Sequence, residues 1–187
     1  MIPLWNNTNP LVNQVQLGRS GLIDYGFNYL LSGSGYQSLA VPLTLPAGDL
    51  VQIAVYADGH GGTNVANAAI WDNDSATLLS SSASQTLADG SGAAGGQAWW
   101  YFTMSYALPA GTYFVGIEFS TSSGFEWSVA SNTAGGFYVQ NSASPNAWVS
   151  CSSTSLYCGT PGIYVIMTQP ATQLGGMHRM MGKAFHP

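Results

Sequence analysis

Positive charge is almost missing from this sequence. Three cations occur, Arg19, Arg179 and Lys183, and none lies between residues 20 and 178. That interval contains all eight acidic residues, and charged residues make up 6% of the chain, where an ordinary domain has about 25%. Because phosphate groups are bound mainly by lysine and arginine, we expect neither nucleic-acid binding by the central domain nor kinase- or ATPase-type chemistry.

Long apolar runs and a basic leader are also missing. No run reaches the roughly 20 apolar residues of a membrane span, and the first residues, MIPLWNNTNPLVNQ, lack a basic segment followed by an apolar one. The sequence therefore predicts a protein that is made in the cytoplasm of a host cell and has no membrane partner.

Cysteine is scarce as well. Cys151 and Cys158 are the two present, and a segment rich in serine and threonine separates them. We predict a disulfide between them, which would need an oxidising environment; the alternative is a pair of free thiols. A zinc site is not expected, because zinc needs four ligands and the nearest histidine is His178.

What the sequence does contain is the residue alternation that is typical of β-strands. The strongest example is the segment 98–119, AWWYFTMSYALPAGTYFVGIEF, in which aromatic and β-branched residues recur at every second position. We interpret it as a hairpin whose turn is Leu108-Pro109-Ala110-Gly111, with the glycine at a position that favours positive φ. Its aromatic residues are interpreted as core.

A second L-P-A-G quartet, residues 45–48, also joins two predicted strands. The strand before it carries Pro42, which favours an edge position. In the strand after it, Val51, Ile53 and Val55 are predicted to point inward. Two such corners are what two facing sheets would use.

About ten short strands and no helical period predict an all-β fold. The architecture we expect is an antiparallel two-sheet β-sandwich (a jelly roll) with extended N- and C-terminal arms. Residues 1–20 are assigned to the N-terminal arm, 21–169 to the sandwich and 170–187 to the C-terminal tail.

Candidate catalytic groups are few. Glu118 with Glu126, or Asp72 with Asp74, are the carboxylate pairs that a glycosidase would need, but the aspartates fit a turn and Glu118 fits the polar face of a strand. His60 is the only histidine inside the domain, and a G-x-S-x-G elbow is absent. The sequence predicts that the protein is not an enzyme and has no cofactor.

Two loops, residues 58–64 and 72–74, offer oxygen ligands for a metal. Neither matches the spacing of an EF-hand. We interpret both as solvated loops and predict no metal; a structural calcium ion is the alternative.

Carbohydrate binding is the main functional alternative that single residues support. Lectin-type sandwiches hold sugars with aromatic platforms and short polar groups, although most aromatic residues in a sandwich are core. The aromatic candidates are Trp71, Trp127, Tyr138, Trp148 and Tyr157, and the polar ones are Asp58, His60, Asn64, Asn141 and Asn146. Among them we favour Trp148 and Tyr157, beside the cysteine loop, together with Asp58, His60 and Asn64.

The two arms hold all of the cations, while the domain between them is acidic. We predict that they dock on a neighbouring protein or on an acidic copy of the same chain; an unstructured remnant is the alternative. The residues predicted to dock are Arg19, Met177, His178, Arg179, Met180, Met181, Lys183 and Phe185.

These motifs together resemble the jelly-roll domains of tailed-phage virion proteins. The matching residues are Gln37 to Leu39, Leu45 to Gly48, Leu78 to Ser82, Trp100 to Thr103, Leu108 to Tyr113 and Trp127, and the resemblance covers roughly Tyr36 to Thr168. It implies a structural role on the virion exterior, as a capsid decoration, head-fibre or tail-fibre protein.

The resemblance also implies oligomers, with a trimer favoured, other virion proteins as partners and, in some members, binding of surface glycans. It brings no catalytic residue. A carbohydrate- or receptor-binding module is the alternative, and a bacterial secreted domain whose signal is missing from the sequence is a third.

Overall fold

The computed structural model describes residues 14–19, 27–31, 36–58, 64–74, 76–87, 98–119, 125–129, 138–141, 144–150 and 161–168. Within these ranges it contains thirteen strands and no helix, which confirms the all-β prediction. The strands are β1 (Gln14–Arg19), β2 (Phe27–Leu31), β3 (Tyr36–Leu45), β4 (Gly48–Asp58), β5 (Asn64–Asp72), β6 (Leu78–Ser81), β7 (Gln85–Leu87), β8 (Ala98–Leu108), β9 (Gly111–Phe119), β10 (Phe125–Val129), β11 (Tyr138–Asn141), β12 (Ser144–Ser150) and β13 (Ile163–Thr168).

The strands form two antiparallel sheets that pack face to face as a β-sandwich. In the front sheet β8 pairs with one side of β4, while β13 and β10 follow one another along its other side. Ala57 of β4 shows this arrangement, because it pairs with Ala98 of β8 and with Trp127 of β10. β1 lies outside β13, and β2 lies outside β10.

The back sheet has the order β12, β11, β3, β9, β5, with β6 and β7 sharing the far side of β5. β3 is central where β11 pairs with its first half, as far as Ala40. Beyond that point only β9 pairs with β3 among the described residues. Pro42 has no amide hydrogen to donate and lies in this second half, where β3 is an edge strand among the described residues, as predicted.

Both L-P-A-G quartets are corners that carry the chain from one sheet to the other. β3 and β9 pair in the back sheet, and β4 and β8 pair in the front sheet. Leu45 therefore lies opposite Gly111, and Gly48 lies opposite Leu108. Exchanging the two strand–corner–strand segments reproduces the same pairing, so a local two-fold pseudosymmetry relates them.

The predicted hairpin between residues 98 and 119 is therefore wrong as a hairpin. Its two arms are strands β8 and β9, as the alternation predicted, but they lie in different sheets and do not pair. Sequence alternation reports which side chains share a face of a strand, and it carries no information on the partner of that strand.

Tyr113 fastens the second corner. Its hydroxyl donates a hydrogen bond of 2.8 Å to the carbonyl of Pro109, four residues back. Gly111 leaves room for the ring, since a Cβ there would lie 3.2 Å from the Tyr113 hydroxyl oxygen. Burial raises the pKa of Tyr113, and the nearby Asp72 and Tyr106 raise it further.

Each corner ends in a glycine, and the two positions need a glycine for different physical reasons. Gly48 has a φ of 155°, which side chains disfavour. Gly111 has no positive φ, contrary to our expectation, and is needed for the approach of the Tyr113 ring instead.

The main core lies between the sheets and is formed by the alternate side chains of each strand that point inward. Phe102, Met104 and Leu108 of β8 face Val115 and other buried residues of the back sheet. Each large side chain buried in this way contributes about 1.5–3 kcal/mol.

One predicted inward position in β4 is wrong. Leu50, and not Val51, joins Ile53 and Val55 in the main core, while Val51 packs on the outer side of the sheet. The cause is an irregularity, because the pairing of β4 with β8 and with β13 shifts between Leu50 and Gln52. Alternation resumes after the shift with its phase moved by one residue.

Two further segments form strands, and one of them lies in the predicted N-terminal arm. Gln14–Arg19 of the predicted N-terminal arm forms β1 and pairs along the whole of β13. Gln85–Leu87 forms the short strand β7 and pairs with the start of β5.

Candidate functional site

Three of the predicted sugar-platform residues come together on the outer face of the back sheet. Trp71 of β5, Tyr138 of β11 and Trp148 of β12 surround Phe114 of β9. Trp148 stacks on Phe114 with ring centroids 4.8 Å apart and meets the edge of Trp71 at 5.0 Å, while Tyr138 meets Phe114 edge-on at 5.0 Å. We call these four residues the outer aromatic cluster.

The position of Trp148 requires the sheet to curl. β12 is three strands away from β9 in the sheet order, which is about 14 Å in a flat sheet. The stacking of Trp148 on Phe114 therefore means that β11 and β12 bend over the outer face. Both ladders of β11 shift register between Val139 and Asn141, which locates the bend.

The outer aromatic cluster has a buried inner pair, Trp71 and Phe114, while Trp148 and Tyr138 are half-buried. Trp71 is 2% exposed and Phe114 is 7% exposed. The indole nitrogen of Trp148 is enclosed and has no hydrogen-bond partner among the described residues. These contacts give Trp148 a packing role on this face, because its ring serves as the cover over Phe114 and Trp71.

A row of small residues forms the floor beneath the cluster. Ala40 of β3, Gly116 of β9 and Ala69 of β5 lie side by side across three strands. A Cβ on Gly116 would clash with the carbonyl oxygen of Leu39 and lie 2.6 Å from the Cα of Ala40. Gly116 thus has to be a glycine, because the backbone of β3 leaves no space for a Cβ there.

A polar pair borders this floor. Asn67 and Glu118 are cross-strand neighbours on β5 and β9, and the Asn67 amide donates a hydrogen bond of 2.7 Å to a Glu118 carboxylate oxygen. Glu126 lies on β10 of the front sheet. The two glutamates considered as a glycosidase pair are therefore in different sheets.

The backbone places part of the remaining predicted sugar site. Asp58 ends β4 and lies opposite Glu126 in register, Asn64 begins β5 opposite Leu87, and Trp127 of β10 lies opposite Tyr29 and Ala57. Asn141 ends β11, and Asn146 and Trp148 belong to β12. His60, Tyr157 and the pair Cys151 and Cys158 lie outside the described residues.

The docking residues of the arms fall into two groups. Arg19 ends β1, opposite Ile163 of β13. The C-terminal residues lie outside the described part of the chain; they are Met177, His178, Arg179, Met180, Met181, Lys183 and Phe185.

The outer face of the front sheet holds a second aromatic group, which the sequence reasoning missed. Trp99 of β8 lies between Tyr56 of β4 and Tyr164 of β13, with centroid distances of 5.3 Å and 5.1 Å. Tyr101 follows two residues later on the same face and is 42% exposed. The signal was present in the sequence, because alternation puts residues 99 and 101 on the opposite face of the strand from residues 100, 102 and 104.

Polar, uncharged side chains continue this face. Thr103 of β8 is exposed and pairs with the half-buried Gln52 of β4, just as Tyr101 pairs with Ala54 and Trp99 with Tyr56. We call Trp99, Tyr101, Thr103, Gln52 and Tyr56 the β8 strip. None of the five is charged.

The acids at the β5–β6 turn have a structural use. Asp72 accepts a hydrogen bond of 2.7 Å from the backbone N–H of Asp74, the turn chemistry that the sequence predicted. Trp71 and Leu78 pair across this hairpin. Within the described ranges, no three His, Cys, Asp or Glu side chains are grouped closely enough to hold a metal ion.

No helix in the described parts of the chain has the length and apolar character needed to cross a membrane. Comparison with known proteins finds no matching family model, no matching curated protein and no matching solved structure.

Proposed function

We propose that this chain is a non-enzymatic structural protein of a phage virion exterior, a capsid decoration or small fibre protein that works as a homo-oligomer. Support comes first from the frame of the sandwich. The L-P-A-G quartets, which carry much of the resemblance to virion jelly rolls, are the two paired corners of the fold. The motifs therefore correspond to one architectural unit and not to scattered turns.

The observation that carries the proposal is the edge strand β8. It has 11 residues, none of them charged, and among the described residues it pairs only with β4. A long uncharged edge is a hazard for a free monomer, because its backbone can pair with another chain. In an assembly the same edge is available for contact between copies.

The other edge strands carry the usual protection. β1 includes Arg19, β12 includes Pro145, and β2, β6 and β7 have only 5, 4 and 3 residues. On β8 one carbonyl is capped, since the Gln85 side chain donates a hydrogen bond of 2.6 Å to the carbonyl of Tyr101. Charge and proline are absent from β8 itself.

A lysine on this edge tests the proposal. Ser105 is exposed on β8, and Ser81 is exposed on the short edge strand β6. We expect Ser105→Lys to shift the native mass of the purified protein toward one chain, while Ser81→Lys leaves the mass of the oligomer unchanged. If both variants had the same native mass as the wild type, the edge of β8 would no longer support the proposed oligomer.

Anchoring by the C-terminal tail remains a separate proposal. Its support is the charge pattern, since Arg179 and Lys183 follow a segment, residues 20–178, in which every residue of the Asp, Glu, Lys and Arg types is acidic. Deletion of residues 172–187 should abolish incorporation into virions, and normal occupancy without the tail would contradict anchoring.

The alternative function, a carbohydrate- or receptor-binding module centred on Trp148, has weaker support. The Trp148 ring is already engaged with Phe114 and Trp71. Of the aromatic residues described, Tyr101 of the front sheet, which is 42% exposed, gives a ligand better access.

A further inference from the structure

We propose that the β8 strip binds a neutral oligosaccharide. The strip combines two kinds of side chain in consecutive cross-strand pairs, with rings at Trp99 and Tyr56, a ring at Tyr101, and an amide and a hydroxyl at Gln52 and Thr103. A sugar ring has an apolar C–H face that stacks on an aromatic ring and hydroxyl groups around its rim. The strip offers a surface for the first and hydrogen-bond partners for the second.

The aromatic part of the strip is held in place and still accessible. Trp99 is half-buried and is fixed between Tyr56 and Tyr164 at 5.3 Å and 5.1 Å, so its ring loses little freedom when a ligand stacks on it. Tyr101 is 42% exposed, one of the two large hydrophobic residues that are exposed among those described. The exposed ring supplies contact area, and the fixed ring supplies a rigid neighbour.

The polar part fits hydroxyl groups. The Gln52 amide presents both a donor group and an acceptor oxygen, and the Thr103 hydroxyl can donate and accept. These two residues are directly paired across β4 and β8. Together they can donate to one hydroxyl of a sugar and accept from the next.

Charge selects a neutral ligand. The five residues of the strip carry no charge, and Asp49 lies beyond it on β4, opposite Ala107. No cation occurs between residues 20 and 178, and the formal net charge of the chain is −5. Sialylated, uronic or sulfated glycans would therefore find no Arg or Lys on β4 or β8, the two strands that carry the strip, and would be repelled by the net negative charge of the chain.

Size distinguishes this ligand from a protein partner. Residues 99 to 103 extend about 14 Å along β8, and two strands make a surface about 10 Å wide, on the order of 140 Å². A stable protein–protein interface needs about 800 Å² from each partner. The strip has the length for a short oligosaccharide and is too small for a protein interface of its own.

A glycan array with neutral hexose oligosaccharides and with sialylated and sulfated ones tests the proposal on the whole 187-residue chain. We expect binding to neutral members, with an affinity that salt does not change and with a change in tryptophan fluorescence. Tyr101→Ala should weaken binding about tenfold through the loss of one stacking ring, and Thr103→Ala should weaken it less.

The matched control is Leu78→Ala, because Leu78 is 45% exposed on the outer side of the back sheet. It should leave binding unchanged. Absence of binding to every neutral glycan, binding to anionic glycans alone, or equal loss in Leu78→Ala would overturn the proposal. So would a Tyr101→Ala variant that changes the native mass of the protein and not its glycan binding.

This site is independent of the assembly proposed above. Ser105→Lys acts at the edge of β8, outside the strip, so it should leave glycan binding unchanged whether or not it alters the mass of the oligomer. The failure of one proposal can therefore be recognised without the failure of the other.

Discussion

Leu45 of β3 lies directly opposite Gly111 of β9, so the first residue of one L-P-A-G quartet faces the last residue of the other. The front sheet repeats the relationship between Gly48 and Leu108. The centre of the sandwich thus consists of two strand–corner–strand units that pair with each other through both sheets. Because each corner fixes the position of the other, changes at either corner should affect the stability of the whole domain.

Tyr113→Phe tests the hydrogen bond that fastens the second corner. The variant keeps the buried ring and removes the bond from the hydroxyl to the Pro109 carbonyl. We expect the free energy of unfolding in urea to fall by about 1 kcal/mol. Tyr101→Phe is the control, since that residue is exposed, and it should change the free energy by less than about 0.5 kcal/mol. Equal effects of the two changes would contradict the role of the hydroxyl.

Alkaline pH should weaken the same corner. Burial raises the pKa of Tyr113, with smaller contributions from Asp72 and Tyr106, so the folded chain keeps the phenolic proton at a pH where the unfolded chain has lost it. The resulting stability is complete below about pH 10 and is lost as the pH rises toward the pKa of the folded state. Urea unfolding between neutral pH and pH 11 should show a shallower decline for Tyr113→Phe than for the wild type. If the stability of the wild type and of Tyr113→Phe fell in parallel as the pH rose, Tyr113 would not be the source of the alkaline loss.

Gly116→Ala tests the close approach of β3 and β9. The added methyl group would meet backbone atoms of Leu39 and Ala40, which cannot move away without disturbing the ladder. We expect a loss of about 3 kcal/mol or more in the free energy of unfolding. In Gly111→Ala the methyl group meets a side chain, the Tyr113 ring, at 3.2–3.3 Å, so the loss should be about 1 kcal/mol. A larger loss of stability in Gly111→Ala than in Gly116→Ala would contradict the close approach of β3 and β9 in this register.

Trp148→Ala separates packing from ligand binding. Removal of the indole uncovers Phe114 and Trp71, so we expect a loss of about 3 kcal/mol in the free energy of unfolding and a weaker near-ultraviolet circular dichroism signal. Binding of neutral glycans should not change at a temperature where the variant is folded. A variant with wild-type stability and no glycan binding would return Trp148 to the role of a ligand platform.

Local pattern predicted a large part of this fold. The alternation in β8 and β9 indicated which residues share a face of each strand, and the aspartates of the β5–β6 turn were correctly interpreted as turn residues. Both L-P-A-G quartets were expected to be corners of facing sheets. These features depend on side chains and turns that are close together in the sequence, so a single sequence contains them.

Features that depend on distant partners were missed. β8 pairs with β4, which ends at Asp58, and not with β9, which begins at Gly111 directly after the corner; alternation is the same for either partner. The register shift at Val51 arises from the pairing of β4 with both β8 and β13. The packing of Trp148 on Phe114 depends on a bend in β11 and β12. The β8 strip was overlooked because the aromatic residues of 98–119 were all interpreted as core.

Native mass spectrometry of the purified 187-residue chain is the sharpest test of whether this sandwich is a component of a larger assembly. The mass of one chain is 19.6 kDa. At micromolar concentration we predict a closed oligomer, with a trimer favoured. A single species with the mass of one chain, unchanged as the concentration rises, would contradict the account.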